Sequence, residues 1–144
     1  MINLSRKSLL GLEAVLDVAL HARPDPVQAR DITARQGIPQ RYLEQVMQAL
    51  VRANILRGVR GPRGGYRLAR ERRKITVLEI FEVIESIEKD DAHMASASEI
   101  YRHVIAPFYG TLQDALQTAI GDMTIADLCR NVEAQQKQDS DFTI

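Results

Sequence analysis

The sequence predicts a mainly α-helical fold with one small β wing. Apolar residues recur at helical spacing along most of the 144-residue chain, and glycine or proline stands at the breaks. Segment 57–67 interrupts this pattern with four arginines, four glycines and a proline, which is typical of a hairpin turn. An apolar residue at every fourth position from Ile100 to Ile120 predicts a long helix. Together these observations predict a winged helix-turn-helix domain followed by a long dimerisation helix.

The first helix is predicted from Arg6 to Ala22, because leucine, valine and alanine recur there at helical spacing. Ser5 precedes it as a suitable N-cap, and the segment 23–26, with two prolines, ends it. Glu13 and Asp17 interrupt the apolar stretch, so we do not expect a signal peptide.

Two short helices joined by a glycine turn follow. The first is predicted over 29–36 with Gly37 as its C-cap, and the second starts at Ile38-Pro39 with the proline in its first turn. This pair is the helix-turn-helix signature, and its second member would be the recognition helix. A plain helical hairpin within a bundle is the alternative. The second helix has an inner stripe of Leu43, Val46, Met47 and Leu50 and an outer face of Arg41, Glu44, Gln45, Gln48 and Arg52.

The arginine-rich hairpin says the most about function. Ile55-Leu56 begins its first strand, and Gly64 to Ala69 forms its second. Arginines on such a turn suit a narrow, negatively charged groove, so we expect them to face DNA phosphate or the minor groove. A solvated hairpin without a partner is the alternative. The four arginines are Arg57, Arg60, Arg63 and Arg67.

A charged connector over 70–74 leads into the second half of the chain. Thr76 and Glu79 then form a capping box, which starts another helix. Residues 88–98 are polar and small without periodicity, so they predict a loop. The inner stripe of the helix is predicted to be Val77, Ile80, Phe81, Ile84 and Ile87.

The long helix carries an apolar stripe that the compact N-terminal domain is too far away to bury in full. Pro107 would either kink a continuous helix or separate a short turn from a long helix, and Gly121 would end it. The simplest partner is the same helix of a second subunit, which would place two recognition helices one DNA turn apart. Folding back on its own domain is the alternative. The predicted interface consists of Ile100, Val104, Phe108, Leu112, Leu116 and Ile120.

A last short helix, capped by Thr124 and Asp127, is predicted to extend through Val132. The polar residues from Glu133 onward are predicted to be disordered. The chain thus divides into four parts. They are a winged helix-turn-helix domain (1–75), a connecting helix with a sensor-type loop (76–97), the dimerisation and terminal helices (98–133), and a tail (134–144).

The formal net charge of zero hides a strong asymmetry. Residues 1–75 carry 15 basic and 6 acidic residues, a net charge of +9, whereas residues 76–144 carry 4 basic and 13 acidic residues, a net charge of −9. Most of the basic residues in the first half are arginine, which suits bidentate contacts to phosphate and guanine. This asymmetry indicates a polyanion-binding half joined to a half with another role.

Four stretches of the chain, 16–20, 37–45, 59–66 and 124–128, together carry a specific pattern. They resemble the IscR/NsrR/CymR-type winged-helix regulators of bacteria, the Rrf-type family, and the resemblance runs over residues 4–132. It implies a dimeric transcription factor with a winged N-terminal domain and a long crossing dimerisation helix.

The resemblance also implies roles for single residues. Glu44 would read bases, because a carboxylate can accept a hydrogen bond from cytosine N4. Arg60 would enter the minor groove, and Gly64 and Gly65 would let the strand backbone approach DNA. The first helix would approach the phosphates at Arg6 and Lys7. The full set of candidate DNA-binding residues is Arg6, Lys7, Arg41, Tyr42, Glu44, Gln45, Gln48, Arg52, Arg57, Arg60, Arg63, Gly64, Gly65 and Arg67.

The sensor region departs from the family pattern. Many members hold an iron–sulfur cluster on three cysteines before the long helix, but residues 88–108 contain no cysteine. Cluster iron needs soft thiolate ligands, so we expect no metal and no cofactor. An atypically ligated cluster or metal near His93 and His103 is the alternative. The one cysteine, Cys129, is expected to be a buried small residue, with a redox switch as the alternative.

We therefore expect a cytoplasmic, homodimeric, sequence-specific transcription regulator, a repressor that binds double-stranded DNA at a palindrome-like operator. A small molecule or a protein would be its effector. We expect no membrane contact, because no apolar run approaches the length of a span. A protein-interaction adaptor of the same fold is the alternative. We do not expect the protein to be an enzyme, because the chain contains no nucleophile triad, phosphate loop or catalytic metal motif.

Overall fold

A computed structural model describes residues 5–87 and 98–142, apart from the side chains of residues 141 and 142. The fold is mainly α-helical with one small antiparallel sheet, as predicted. The elements in chain order are α1 (Arg6–His21), α2 (Ala29–Gln36), α3 (Gln40–Arg52), β1 (Leu56–Val59), β2 (Gly65–Leu68), a 3₁₀ helix (Arg72–Lys74), α4 (Val77–Ile87), a π-helical segment (Tyr101–Ile105), α5 (Ala106–Ile120) and α6 (Ile125–Phe142).

The main core lies where α1 packs against α2, α3 and α4. The predicted inner stripe of α3 is buried, because Leu43, Val46, Met47 and Leu50 are each at most 1% exposed. Gly11 lets α1 and α4 approach closely, since a Cβ atom there would lie 2.6 Å from Cδ1 of Ile84. The packing of α3 against α1 and α4 therefore decides which of its faces remains free.

The helix-turn-helix forms as predicted except at Pro39. Helix α2 has the predicted bounds, and Gly37 ends it in the left-handed conformation, with φ of 68°. Pro39 is the extended N-cap residue of α3, with ψ of 131°, rather than a residue of its first turn. Proline also restricts the residue before it to extended backbone. The chain therefore enters α3 from an extended segment, anchored by the buried Ile38.

The wing is a hairpin joined to the body by one further strand pairing. Residues of β1 and β2 pair from Leu56 opposite Leu68 to Val59 opposite Gly65, so the paired strands are shorter than predicted. Val27, in the segment between α1 and α2, donates to the Tyr66 carbonyl at 3.0 Å and accepts from the Tyr66 N–H at 2.7 Å. These two bonds attach β2 to the helix-turn-helix.

The predicted capping box starts α4. The backbone N–H of Thr76 donates to the carboxylate of Glu79 at 2.9 Å, and the Glu79 N–H donates to the Thr76 hydroxyl at 3.1 Å. Partial burial opposes ionisation of Glu79. However, the Thr76 N–H and the nearby Arg70 guanidinium outweigh it and lower the pKa of Glu79. The box fixes the direction in which α4 leaves the wing.

The long helix continues through Pro107. Its first turn is capped by Ser98, which accepts from the Tyr101 N–H at 3.1 Å. The Ala106 N–H bonds to the carbonyl of Tyr101, five residues back, which is π-helical geometry. Proline has no N–H and clashes with the carbonyl four residues earlier in a regular α-helix. The wider turn before Pro107 accommodates this residue without ending the helix.

Helix α6 is longer than predicted. Its cap forms as expected, because the Thr124 N–H donates to the Asp127 carboxylate at 2.9 Å. The helix then continues to Phe142, so the prediction of disorder was wrong for residues 133–142, and the remaining two residues of the predicted tail lie outside the described residues. Segment 133–138 consists of glutamate, alanine, glutamine and lysine, which are strong helix formers. Their intrinsic propensity carries the helix past the last buried contact.

Candidate nucleic-acid interface

The outer face of α3 is exposed and polar, as the sequence predicts. Burial of the opposite stripe leaves this helix one free side. The side chains there are spaced three and four residues apart, so they share one face. They are Arg41, Glu44, Gln45, Gln48 and Arg52, and all five are exposed.

This face offers both donors and acceptors. Glu44 stands in the first half of α3, and its carboxylate accepts from the side-chain amide of Gln40 at 3.3 Å in an exposed position. Arginine contributes only donors, glutamate only acceptors, and glutamine both. Base edges in the major groove present the complementary pattern, and that groove is wide enough for an α-helix.

The first turn of α1 lies beside the start of α3. The hydroxyl of Tyr42 donates to the backbone carbonyl of Lys7 at 2.7 Å. Tyr42, a predicted DNA-binding residue, is half-buried and joins the two helices. The side chains of Arg6 and Lys7 are exposed next to this contact. The structure thus brings the predicted phosphate-binding residues close to the recognition helix.

The wing arginines fall into two groups. Arg60 and Arg63 are exposed around the turn. Arg67 is half-buried, and its guanidinium donates to the Ala22 carbonyl at 3.2 Å and to the Pro24 carbonyl. These bonds fasten β2 to the end of α1, and contact of Arg67 with DNA stays a prediction. The tip arginines Arg60 and Arg63 are therefore exposed side chains that make none of these internal contacts.

The two wing glycines are needed by the wing itself. A Cβ atom at Gly64 would lie 2.3 Å from the carbonyl oxygen of Val59, and one at Gly65 would lie 2.4 Å from that of Val27. Real Cβ atoms do not come so close to a backbone oxygen. Backbone packing within the protein explains both glycines, whereas the family resemblance implied room for DNA.

A buried ion pair, which the sequence analysis did not predict, connects α1 to the helix-turn-helix. Asp17 is 1% exposed and accepts from two guanidinium nitrogens of Arg35, each at 2.8 Å, and from the Gln36 amide at 2.8 Å. Burial favours the neutral acid. The hydrogen bonds from Arg35 and Gln36 outweigh burial, so the pKa of Asp17 lies below its usual value. The position of this carboxylate between Leu16 and Val18, inside the apolar stripe of α1, was the available signal.

Other arginines of the basic half also serve the fold. Arg72 donates to the Ala19 carbonyl near the end of α1 and lies 3.6 Å from the Glu133 carboxylate of α6. Arg70 donates to the Asn54 carbonyl at 3.0 Å. Arg57, a predicted DNA-binding residue, lies at the base of the wing, paired with Arg67 across the two strands. Part of the charge asymmetry is therefore structural.

The apolar stripe of the long helix divides into two parts. Leu116 and Ile120 are half-buried and pack in a second cluster with Val77 and Phe81 of α4. The remaining part faces solvent, and its exposed fractions are 70% for Ile100, 58% for Val104, 59% for Phe108 and 50% for Leu112. The domain covers only the C-terminal end of the predicted interface.

The described residues do not fit an iron–sulfur cluster or a metal ion. Within 5–87 and 98–140, no three histidine, cysteine or carboxylate side chains come together as metal ligands. Cys129 is 1% exposed in the main core, and burial raises the pKa of its thiol, so it presents no thiolate. His103 is exposed on the π-helical segment, and His93 lies outside the described residues.

An exposed polar helix held beside an arginine-bearing hairpin defines the class of winged helix-turn-helix DNA-binding proteins. The chain is similar to known proteins of this class. The model of the Rrf2 family, described as iron-dependent transcriptional regulators, matches residues 4–131.

None of the helices in the part of the chain described by the structure is long and apolar enough to cross a membrane.

Curated relatives and solved structures agree with this match. The transcriptional regulator IscR of Vibrio atlanticus is 33% identical over 98% of this chain and 84% of its own length. IscR of Photobacterium profundum is 34% identical over 92% and 78%. The structure of T. potens IscR, 30% identical, aligns with a TM-score of 0.73 over 94% of this chain and 91% of its own. CymR, the global cysteine regulator of B. subtilis, shares the fold at 24% identity, with a TM-score of 0.69 over 91% and 98%.

The chain therefore belongs to the Rrf2 family of transcriptional regulators. It is a DNA-binding transcription regulator and, as predicted, its relatives are regulators and not enzymes.

Proposed function

We propose that the protein represses transcription as a homodimer that binds a two-fold symmetric operator. The exposed polar face of α3, a helix that packs against β1 of the wing, carries the proposal. In the described part of the chain, the tip residues Arg60 and Arg63 make no ion pair, so their charges are available to phosphate. A dimer on an operator would block access of the transcription machinery to that DNA.

In this docking model each element contacts a different part of the duplex. Helix α3 enters the major groove, where Glu44 accepts from cytosine N4 and Arg41, Gln45 and Gln48 donate to base edges. The wing tip places Arg60 in the minor groove, whose strong negative potential attracts arginine. Arg6, Lys7 and Arg52 contact the phosphates on either side and fix the register.

The exposed part of the long helix supplies the dimer contact. Four large apolar side chains on one face are more than a monomer leaves in water without a partner, and a second copy offers the same face. The two-fold axis would place two copies of α3 about one helical turn of DNA apart.

In this proposal the protein does not sense its signal through an iron–sulfur cluster held by three cysteines. The single thiol is buried in the core, so the described residues offer no set of ligands for such a cluster. A small molecule or a partner protein is the effector, and the protein carries no resident cofactor.

Duplex binding by point variants tests the docking model. We expect Arg60→Ala to weaken specific binding by about 1–3 kcal/mol and to reduce the slope of log K against log salt by about 1. Glu44→Ala should relax discrimination at one base pair. Arg130→Ala, which removes an exposed arginine on α6, is the matched control and should bind as wild type. Fluorescence anisotropy over 50–200 mM salt measures both quantities. Wild-type affinity and specificity in both Arg60→Ala and Glu44→Ala would contradict the model.

A further inference from the structure

A hollow of about 360 Å³ lies at the base of the wing, bordered by β1, β2, the end of α1 and the 3₁₀ helix. Its lining contains five arginines and one carboxylate, namely Arg23, Arg57, Arg67, Arg70, Arg72 and Glu71. It is separate from the exposed face of α3, whose residues do not line it. Such a concentration of one charge around a concave surface attracts anions.

Only part of this charge is compensated within the protein. Arg70 lies 3.1 Å from the carboxylate of Glu79, and Arg72 lies 3.6 Å from that of Glu133. Glu71 is engaged by Arg73, 2.7 Å away, which does not line the hollow. The ion pairs with Glu79 and Glu133 therefore neutralise two of the five arginines. Glu71, the carboxylate in the lining, is paired with Arg73 outside the hollow.

Three guanidinium charges remain. Arg67 donates to two backbone carbonyls, which hold it in place without cancelling its charge. Arg57 stands directly opposite Arg67 across the strands, where like charges destabilise the hairpin. Arg23 is exposed at the end of α1. Neither Arg23 nor Arg57 has a carboxylate within ion-pair distance in the part of the chain that the structure describes.

We propose that this hollow binds a small polyvalent anion, an organic or inorganic phosphate or polycarboxylate. Arg67 is already oriented by its carbonyl contacts, and Arg23 and Arg57 close on the anion from either side. Guanidinium groups bind phosphate and carboxylate oxygens in a bidentate manner, which favours two or more negative charges over one. The bound anion relieves the repulsion between Arg57 and Arg67 and connects the wing to α1.

Isothermal titration with sodium pyrophosphate, at an ionic strength held constant with sodium chloride, tests the site without DNA. We expect saturable binding of one pyrophosphate per chain. Arg23→Gln and Arg57→Gln should each weaken it about tenfold or more, because each removes a charge-assisted hydrogen bond. Both residues are exposed, so the variants should stay folded. The control is Arg30→Gln, an equal loss of charge on α2 outside the hollow, and it should bind pyrophosphate as wild type does.

Three results would overturn the proposal. One is binding that does not saturate, and another is equal weakening by Arg30→Gln, since both mean general attraction to a basic surface. The third is a pattern in which Arg23→Gln and Arg57→Gln leave pyrophosphate binding intact but reduce duplex affinity and its salt slope. In that case the anion is a DNA phosphate and the hollow extends the nucleic-acid interface. Pyrophosphate binding does not require that the duplex docking model be correct, so the two proposals fail separately.

Discussion

Three hydrogen bonds from Arg35 and Gln36 stabilise the charged form of the buried Asp17 carboxylate. The two donors lie at the end of α2, so one carboxylate of α1 fixes the first helix of the helix-turn-helix against the core. Asp17 is thus a positioning residue that acts on DNA binding only through the placement of α2 and α3. Its role depends on the carboxylate being charged.

Replacing Asp17 with asparagine should lower the free energy of unfolding by about 1–3 kcal/mol at neutral pH. Arg35 keeps part of its hydration because its side chain is 36% exposed, which limits the loss. Urea denaturation measures the effect, and Glu13→Gln, an exposed change on the same helix, is the control. Unchanged stability of Asp17→Asn would show that the ion pair is not needed.

The pH dependence of that difference follows from the lowered pKa of Asp17. A carboxyl group with a depressed folded-state pKa stabilises the protein above its unfolded value, about 3.9, and loses this effect as the pH falls toward its folded value. The gap in unfolding free energy between wild type and Asp17→Asn should therefore be full at pH 7 and shrink below pH 4. A gap that stays constant from pH 7 to pH 3 would exclude the ion pair as its cause.

At the scale of elements, the wing and the long helix show where local rules needed the tertiary structure. The sequence predicted a hairpin from glycine and proline, but not that Gly64 and Gly65 lie against the carbonyls of Val59 and Val27. It predicted that the domain would not bury the whole apolar stripe of the long helix, but not that α4 packs against the C-terminal end of that stripe around Leu116. Contacts between elements determine both why the two glycines are required and how much of the long helix is buried.

Two glycines of the wing form a matched pair. Gly64→Ala should cost about 1–3 kcal/mol of stability, because the new Cβ would meet the Val59 carbonyl oxygen at 2.3 Å. Gly58→Ala should have a small effect, because nothing lies within 4 Å of a Cβ there. Thermal unfolding followed by circular dichroism compares the two. Equal stability of the two variants would mean that the wing backbone moves freely to accept the methyl group.

The exposed part of the long helix gives a prediction of oligomeric state. Phe108 is 59% exposed in the middle of the apolar face, so Phe108→Glu should convert the proposed dimer into a monomer. Gln117→Glu places the same charge on the opposite side of α5 and should leave the dimer intact. Light scattering after size-exclusion chromatography at micromolar concentration reads the mass directly. A wild-type monomer, or a dimer unaffected by Phe108→Glu, would contradict this interface.

Over the whole molecule, the sequence predicted those features that depend on periodicity and on caps. The bounds of α2, the buried stripe of α3 and both capping boxes follow from local rules, and the structure confirms them. The contacts of Arg67, Arg70 and Arg72 with backbone carbonyls join residues distant in sequence, so counting charges did not show that these arginines also support the fold. The length of α6 was missed because polarity was given more weight than helix propensity.

Selection from a random duplex library shows whether two copies of this chain read a symmetric DNA site, as proposed. Full-length protein is incubated with the library at physiological salt, and the retained duplexes are sequenced over several rounds. The structure predicts enrichment of one motif with two inverted half-sites whose centres are about 10 base pairs apart. No enriched motif, or a single half-site without two-fold symmetry, would contradict the claim.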